Sequence, residues 1–204
     1  MQGYILNITR VRDEDLIVSI LTPNNLYTLY RFYGARHSPI ALGHKIDFTI
    51  EPQVGYMDRL RNVMHIGFRW LKEIEKVMIW QRFIQLLYQH LKGIEEIDPF
   101  YFDLLEEMNR KFLRQNPKRV VVESYVRLLT FEGRLHTEPY CFVCEGKIET
   151  DPVIVRSFLP AHSECIPKTP ISQKGLEHLF QYRDAQYLSD SEVELLFQTI
   201  MEGL

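Results

Sequence analysis

Apolar residues follow two different rhythms along this chain, and the change between them falls near Gly67. Before it, short runs bounded by turn residues read as strands. Ile5, Ile8 and Val11 mark a β-leaning opening run, and residues 16–21 form an apolar strand. Pro23, Asn24 and Asn25 then supply a turn before a third run over residues 26–33. Gly34 ends that run, residues 45–50 alternate polar and apolar, and Arg59–Ile66 supplies a fifth strand after a turn over residues 52–55. Five strands in about 65 residues predict a small barrel of the OB type. Within the third run, the two-residue period puts Tyr27, Leu29, Arg31 and Tyr33 on one face and Leu26, Thr28, Tyr30 and Phe32 on the other. The second set is expected to face the core.

Beyond Gly67 the period lengthens to about three and a half. Trp70, Leu71, Ile74, Val77, Met78, Phe83 and Leu87 share helical spacing, and Gly93 stops the run. A second helix starts at Asp98 and Pro99, where aspartate caps and proline suits the first turn, and runs to about Arg114. Asn116 and Pro117 break it, and a third helix follows to about Phe131. Two more are expected over Gln173–Tyr182 and from Ser189 to Met201, the latter opened by a capping box of Ser189 and Glu192. With no internal repeat, low-complexity tract or long linker, the expected organisation is α+β. Residues 1–67 form the barrel and residues 68–204 a helical domain with a metal segment at 139–167.

Composition changes this picture little. The 204 residues are 46% hydrophobic and 25% charged, and no apolar run approaches the roughly 18 residues needed to span a bilayer. The net charge of −3 is unevenly spread. Residues 1–69 carry 8 basic and 6 acidic side chains, residues 70–138 carry 11 and 11, and residues 139–204 carry 5 and 10. Any nucleic-acid site must therefore be a local patch on the first two segments.

The chemistry concentrates in three cysteines and a histidine: Cys141, Cys144, His162 and Cys165, spaced C-x2-C-x17-H-x2-C. Each two-residue gap brings two donors onto one knuckle, and two knuckles can present four ligands tetrahedrally to one zinc ion. Four protein ligands close the coordination sphere, which predicts a structural rather than a catalytic metal, one per chain. Disulfides are the weaker rival. The cysteine count is odd and no apolar leader follows Met1, which points to the reducing cytoplasm. The tripeptide from His162 to Glu164 contains the H-x-E of zinc deaminases. It follows the cysteine pair instead of preceding it, however, and Cys165 takes the place of the catalytic water. The chain also lacks a G-x-x-x-x-G-K-S/T phosphate loop, a G-x-S-x-G elbow and a recognisable catalytic carboxylate pair, so it is not expected to be an enzyme.

The triplet Gly34, Ala35, Arg36 after the third strand, the helix with Arg127, Leu128 and Leu129 ending near Gly133, and the cysteine pair soon after occur in this order over almost the whole chain. In that order and spacing the chain resembles the bacterial recombination mediator RecO family. The resemblance implies a cytoplasmic, nucleoid-associated protein of DNA repair and homologous recombination. Such a protein binds single- and double-stranded DNA and anneals complementary strands without ATP. With RecR it helps load RecA onto DNA coated by single-strand-binding protein. Two departures stand out. The third metal position, usually cysteine, is His162, which remains a competent zinc ligand and lowers the negative charge of the site. The loop after Arg36 is usually rich in arginine and lysine, whereas here it offers His37, His44 and Lys45. Its DNA contribution is therefore expected to be small, or to rise below about pH 6.5 as the histidines charge.

DNA contact requires cations for phosphates and aromatic faces for bases. The barrel candidates are Tyr27, Arg31, Tyr33, Arg36, Lys45, Arg59 and Arg61. A second basic run, Arg110, Lys111, Arg114, Lys118 and Arg119, has no acidic neighbour between Met108 and Val122. Arg110, Lys111 and Arg114 read as a solvated helix cap; the functional reading of the run is an extension of the DNA track or, as the resemblance implies, a dock for the acidic tail of single-strand-binding protein. The alternative function is a zinc-knuckle protein-interaction module with no direct DNA role, which the acidic C-terminal third favours. Salt dependence of oligonucleotide binding separates the two.

Overall fold

The computed structural model describes residues 1–12, 14–37 and 40–204, without the side chain of His37. It divides into two compact units, Met1–Leu113 and Arg114–Leu204.

The first unit is built on a closed five-stranded barrel of β1 (Gln2–Arg12), β2 (Asp15–Leu21), β3 (Leu26–Arg31), β4 (Lys45–Glu51) and β5 (Arg59–Ile66). The strand order is β1-β2-β3-β5-β4, with β4 returning to β1. All neighbours are antiparallel except β3 and β5, which meet in parallel at Tyr30 and Arg59. β1 serves both edges of the closure. Gln2, Gly3 and Tyr4 pair with β4, while Tyr4 onward pairs with β2 through register shifts at Ile5/Asn7 and Arg10/Arg12 that bend the strand. Gly3 lies where the backbones crowd, since a Cβ there would be 2.5 Å from Ile20 Cγ2 and 2.8 Å from the Leu21 carbonyl. Ile5, Leu16, Val18, Ile20, Leu29, Ile46, Phe48 and Leu60 fill the interior. Burial of each contributes about 1.5–3 kcal/mol relative to exposure. After β3 a short helix α1 (Gly34–His37) follows.

The expected inward face of β3 is reversed. Leu29 is buried and Tyr27 packs against the barrel core, whereas Thr28 and Phe32 are exposed. Register explains it: Tyr27, Leu29 and Arg31 lie opposite Ile20, Val18 and Leu16 of β2, all three buried, and directly opposed residues share a face. The strand also ends at Arg31, so Phe32 and Tyr33 belong to a turn.

Helices α2 (Ile74–Leu91) and α3 (Pro99–Lys111) complete this unit. The expected division after residue 67 falls inside it, because β1 presents apolar area outside the barrel as well. Tyr4 packs against Phe68, Trp80 and Phe102, and Trp70, Trp80 and Phe112 continue the cluster with ring centroids 5.2–5.6 Å apart. The indole N–H of Trp80 donates to the Gly43 carbonyl at 2.8 Å, fixing α2 to the segment before β4. Trp70 and Leu71 precede α2 in a turn instead of opening the helix.

In the second unit, α4 (Pro117–Phe131) is central. From Val120 to Val126 every residue is buried, as are Leu128 and Leu129, the pattern of a helix enclosed on all sides. Asn116 caps it and Pro117 occupies its first turn. Two three-residue strands, β6 (Val153–Val155) and β7 (Leu159–Ala161), form a hairpin around a 3-10 turn at Arg156–Phe158. α5 (Gln173–Tyr182) and α6 (Asp190–Met201) follow, and the expected capping box of Ser189 and Glu192 opens α6. Among the described residues no helix is long and apolar enough to cross a membrane.

Candidate functional site

Two tight turns build the metal knuckle. In the first, Cys141 N–H donates to the Gly146 carbonyl and Glu145 N–H to the Cys141 carbonyl, while Tyr140 and Lys147 form a bridge beneath. In the second, the N–H groups of Cys165 and Ile166 both donate to the carbonyl of His162, directly after β7. The Phe142 N–H donates to the Pro160 carbonyl at 3.0 Å and ties the first turn to β7. Cys141 is buried with Ile148 and Ala161, and Cys165 and Ile166 pack against them, so a small apolar floor orients the sulfurs.

These turns bring the predicted quartet together. The ligand atoms of Cys141, Cys144, His162 and Cys165 all lie within 4.8 Å of one another. His162 Nδ1 is 3.3 Å from Cys144 Sγ and 3.9 Å from Cys165 Sγ. A tetrahedron around an ion with ordinary thiolate and imidazole bond lengths has edges of about 3.5–3.8 Å, so the quartet could hold one metal ion with small adjustments. The other ring nitrogen, Nε2, donates to the Lys147 carbonyl at 3.1 Å, which leaves Nδ1 free to bind metal. Gly146 lies against the quartet: a Cβ there would stand 3.4 Å from both Cys144 Sγ and His162 Cε1, at the edge of ordinary contact.

The thiols have unequal acidities. Burial works to raise Cys141, but the backbone N–H groups of Cys144, His162 and Val143 outweigh it and bring the thiol down to about 6. Cys165 moves up to about 11, through burial and then the neighbouring Cys144 and Cys141 sulfurs. One thiolate forms readily here and further ones repel it. A divalent cation at the centre is what allows all three sulfurs to carry charge.

On the barrel, the predicted residues divide. Lys45 is an internal strut, only 12% exposed, 2.7 Å from Glu106 of α3 and flanked by the rings of Tyr4 and Phe102. Arg31 is half-buried and donates to the Leu60 carbonyl at 3.0 Å, and Tyr27 packs against the core. Burial, then the charge of Arg61, lowers the Arg31 pKa. Arg61 and Arg59 flank Glu51, and Arg36 is exposed but paired with Glu14. Tyr33 is 66% exposed. Of the loop after Arg36, the side chain of His37 and residues 38 and 39 lie outside the described residues. His44 packs against His65 with the rings tilted and centroids 4.2 Å apart.

What the strand alternation concealed is a patch at one end of the barrel. Arg12 and Phe32 line both of two adjoining surface hollows, one completed by Glu14, Asp15, Tyr33 and Arg36, the other by Val11, Tyr30, Tyr56 and Arg59. Arg59 lies over the Phe32 ring at 4.9 Å, and Phe32 meets Tyr30 edge-on at 4.8 Å. Tyr56 is 84% exposed and Phe32 40%. Asp15 holds the base of the patch, accepting from Tyr30 Oη at 2.6 Å and from Tyr33 N–H at 2.8 Å. Those bonds, the tyrosine hydroxyl first, hold its carboxyl below the usual range. Phe32 follows the last residue of β3, so a turn and not the strand alternation leaves it outward.

Three of the five residues of the second basic run, Lys111, Lys118 and Arg119, are engaged by the fold. Arg110 and Lys111 occupy the last turn of α3, where cations are favourable in any case, and Lys111 pairs with Glu107. Lys118 is 2.6 Å from Glu194. Arg119 donates to the carbonyls of Ala185 and Leu188 and to Asp190. Arg114 is exposed.

No curated protein matches the chain. Residues 1–71, which contain the whole barrel, match the family model described as RecO N terminal. Over these 71 of its 204 residues the chain is similar to the RecO N-terminal domain.

Proposed function

We propose that the chain is a non-enzymatic mediator of DNA repair and homologous recombination. In this reading it binds DNA, anneals complementary single strands and, with RecR, helps load RecA onto DNA coated by single-strand-binding protein. It works in the cytoplasm at the nucleoid. The observation that carries the reading is the coincidence of the RecO N-terminal match with the barrel. The patch at the barrel end supports it chemically. Arg12, Arg36 and Arg59 supply phosphate contacts, and Phe32, Tyr33 and Tyr56 offer faces on which unstacked bases can rest. Zinc is the ion that best suits three thiolates and an imidazole, and with all four positions taken by protein it acts as a staple for the second unit.

Binding of a fluorescent oligonucleotide across a salt series tests the reading. Phosphate contacts require affinity to fall steeply as salt rises, equally for unrelated sequences. Affinity independent of salt, or none at low salt, would remove the DNA role and leave the protein-interaction module.

A further inference from the structure

Two adjoining hollows in the second unit share a wall that includes Glu138 and Pro160, and together they form one groove beside the knuckle. The first, about 430 Å3 with its open mouth, has an apolar floor that includes Ile154, Leu176 and Phe180. The second runs past Tyr140 and Phe142, which leave 52% and 45% of their surface in water. Glu145 lines one end, Glu138 the shared wall and Glu177 the other end. Among the described residues that line the groove there is no lysine or arginine. All three glutamates are exposed, and among the described residues none of them takes part in an ion pair. A polyanion is repelled from such a surface, and a neutral apolar chain leaves its carboxylates uncompensated. The complementary occupant has apolar side chains for the floor and cations for the rim.

We propose that this groove docks an extended segment of a partner protein in which apolar side chains are flanked by lysine or arginine. The site lies within the second unit and does not depend on the DNA reading of the barrel. Exposed aromatic residues beside an apolar floor supply contact area, and the glutamates select the partner by charge.

The test uses the full metal-loaded chain and three fluorescent synthetic peptides. One mixes lysine with leucine and proline, one replaces its lysines by glutamate, and one replaces its leucines by serine. The lysine–leucine peptide is expected to bind at least about tenfold more tightly than either counterpart. It should shift amide resonances only around residues 136–148 and 173–180. The double charge reversal E138K/E177K, at two exposed positions, is expected to weaken it by at least about tenfold with the melting temperature unchanged. Equal binding of the glutamate peptide, equal binding of the serine peptide, or an affinity untouched by E138K/E177K overturns the proposal. So do groove resonances that respond to a single-stranded oligonucleotide instead. Intact oligonucleotide binding with no peptide binding defeats the groove alone, and the converse result defeats only the barrel reading.

Discussion

Lys45 and Arg59 sit on neighbouring strands and carry the same charge, yet their surroundings assign them different work. Lys45 joins the barrel to α3 through Glu106, which also accepts from Tyr4 Oη at 2.7 Å. Lys45→Ala is expected to cost about 1–3 kcal/mol and to lower the melting temperature while leaving oligonucleotide affinity within twofold. Arg59 instead stacks on an exposed ring. Phe32→Ala with Arg59→Ala should weaken single-stranded oligonucleotide binding by about tenfold or more and flatten its salt dependence, at little cost in stability. Titrating both variants in parallel checks the pair, and the assignment is wrong if Lys45→Ala is the one that loses DNA. Acid stability belongs to this scale too. Asp15 is held low by Tyr30 and the Tyr33 N–H, and Glu51 by Arg61 and Arg59. A depressed folded-state pKa stabilises above the unfolded carboxylate range, near pH 4, and that contribution is lost as pH falls through the folded value. Melting temperature should therefore drop between about pH 5 and 3, and less steeply for Asp15→Asn, which starts lower at pH 7. An identical profile in the variant would contradict the role given to Asp15.

At the scale of elements, most boundaries were legible because they are local. Asp98 and Pro99, Asn116 and Pro117, and Ser189 with Glu192 cap their own helices, and Arg59–Ile66 and Gln173–Tyr182 follow directly from period. Cys141, Cys144, His162 and Cys165, which could hold a metal ion, were legible for the same reason, since the C-x2-C and H-x2-C spacings are each one turn. What could not be read alone was anything set by a distant partner. Alternation tells which residues of β3 share a face, but pairing with β2 decides which face is buried. Lys118 and Arg119 read as part of a basic run without acidic neighbours because their partners Glu194 and Asp190 lie some seventy positions on, at the start of α6. Arg119 is a strut for that region: its guanidinium satisfies two carbonyls between α5 and α6. Arg119→Ala should destabilise the second unit by about 1.5–3 kcal/mol, visible in thermal or denaturant unfolding, with oligonucleotide affinity unchanged. Loss of DNA binding without loss of stability would return Arg119 to the DNA track.

For the whole molecule, the two units hold themselves together differently. The first has a filled barrel and an aromatic cluster beneath two helices. The second has a buried central helix, and its knuckle rests on three buried residues, too small a core to hold two turns without a cross-link. Cys144→Ser, or a strong chelator, is expected to release the metal and lower the stability of residues 114–204, while the barrel keeps its fold. Metal content well below one ion per chain in protein purified without chelator would count against the staple. The central claim, that the barrel end makes this chain a DNA-annealing mediator, is tested most directly by mixing two labelled complementary single strands with the full chain in the absence of ATP. The account predicts faster annealing at low salt, fading as the Debye length shrinks to about 8–10 Å near physiological ionic strength, and lost in the Phe32→Ala, Arg59→Ala variant. No acceleration at low salt by folded, metal-loaded protein, or a strict requirement for ATP, would contradict it.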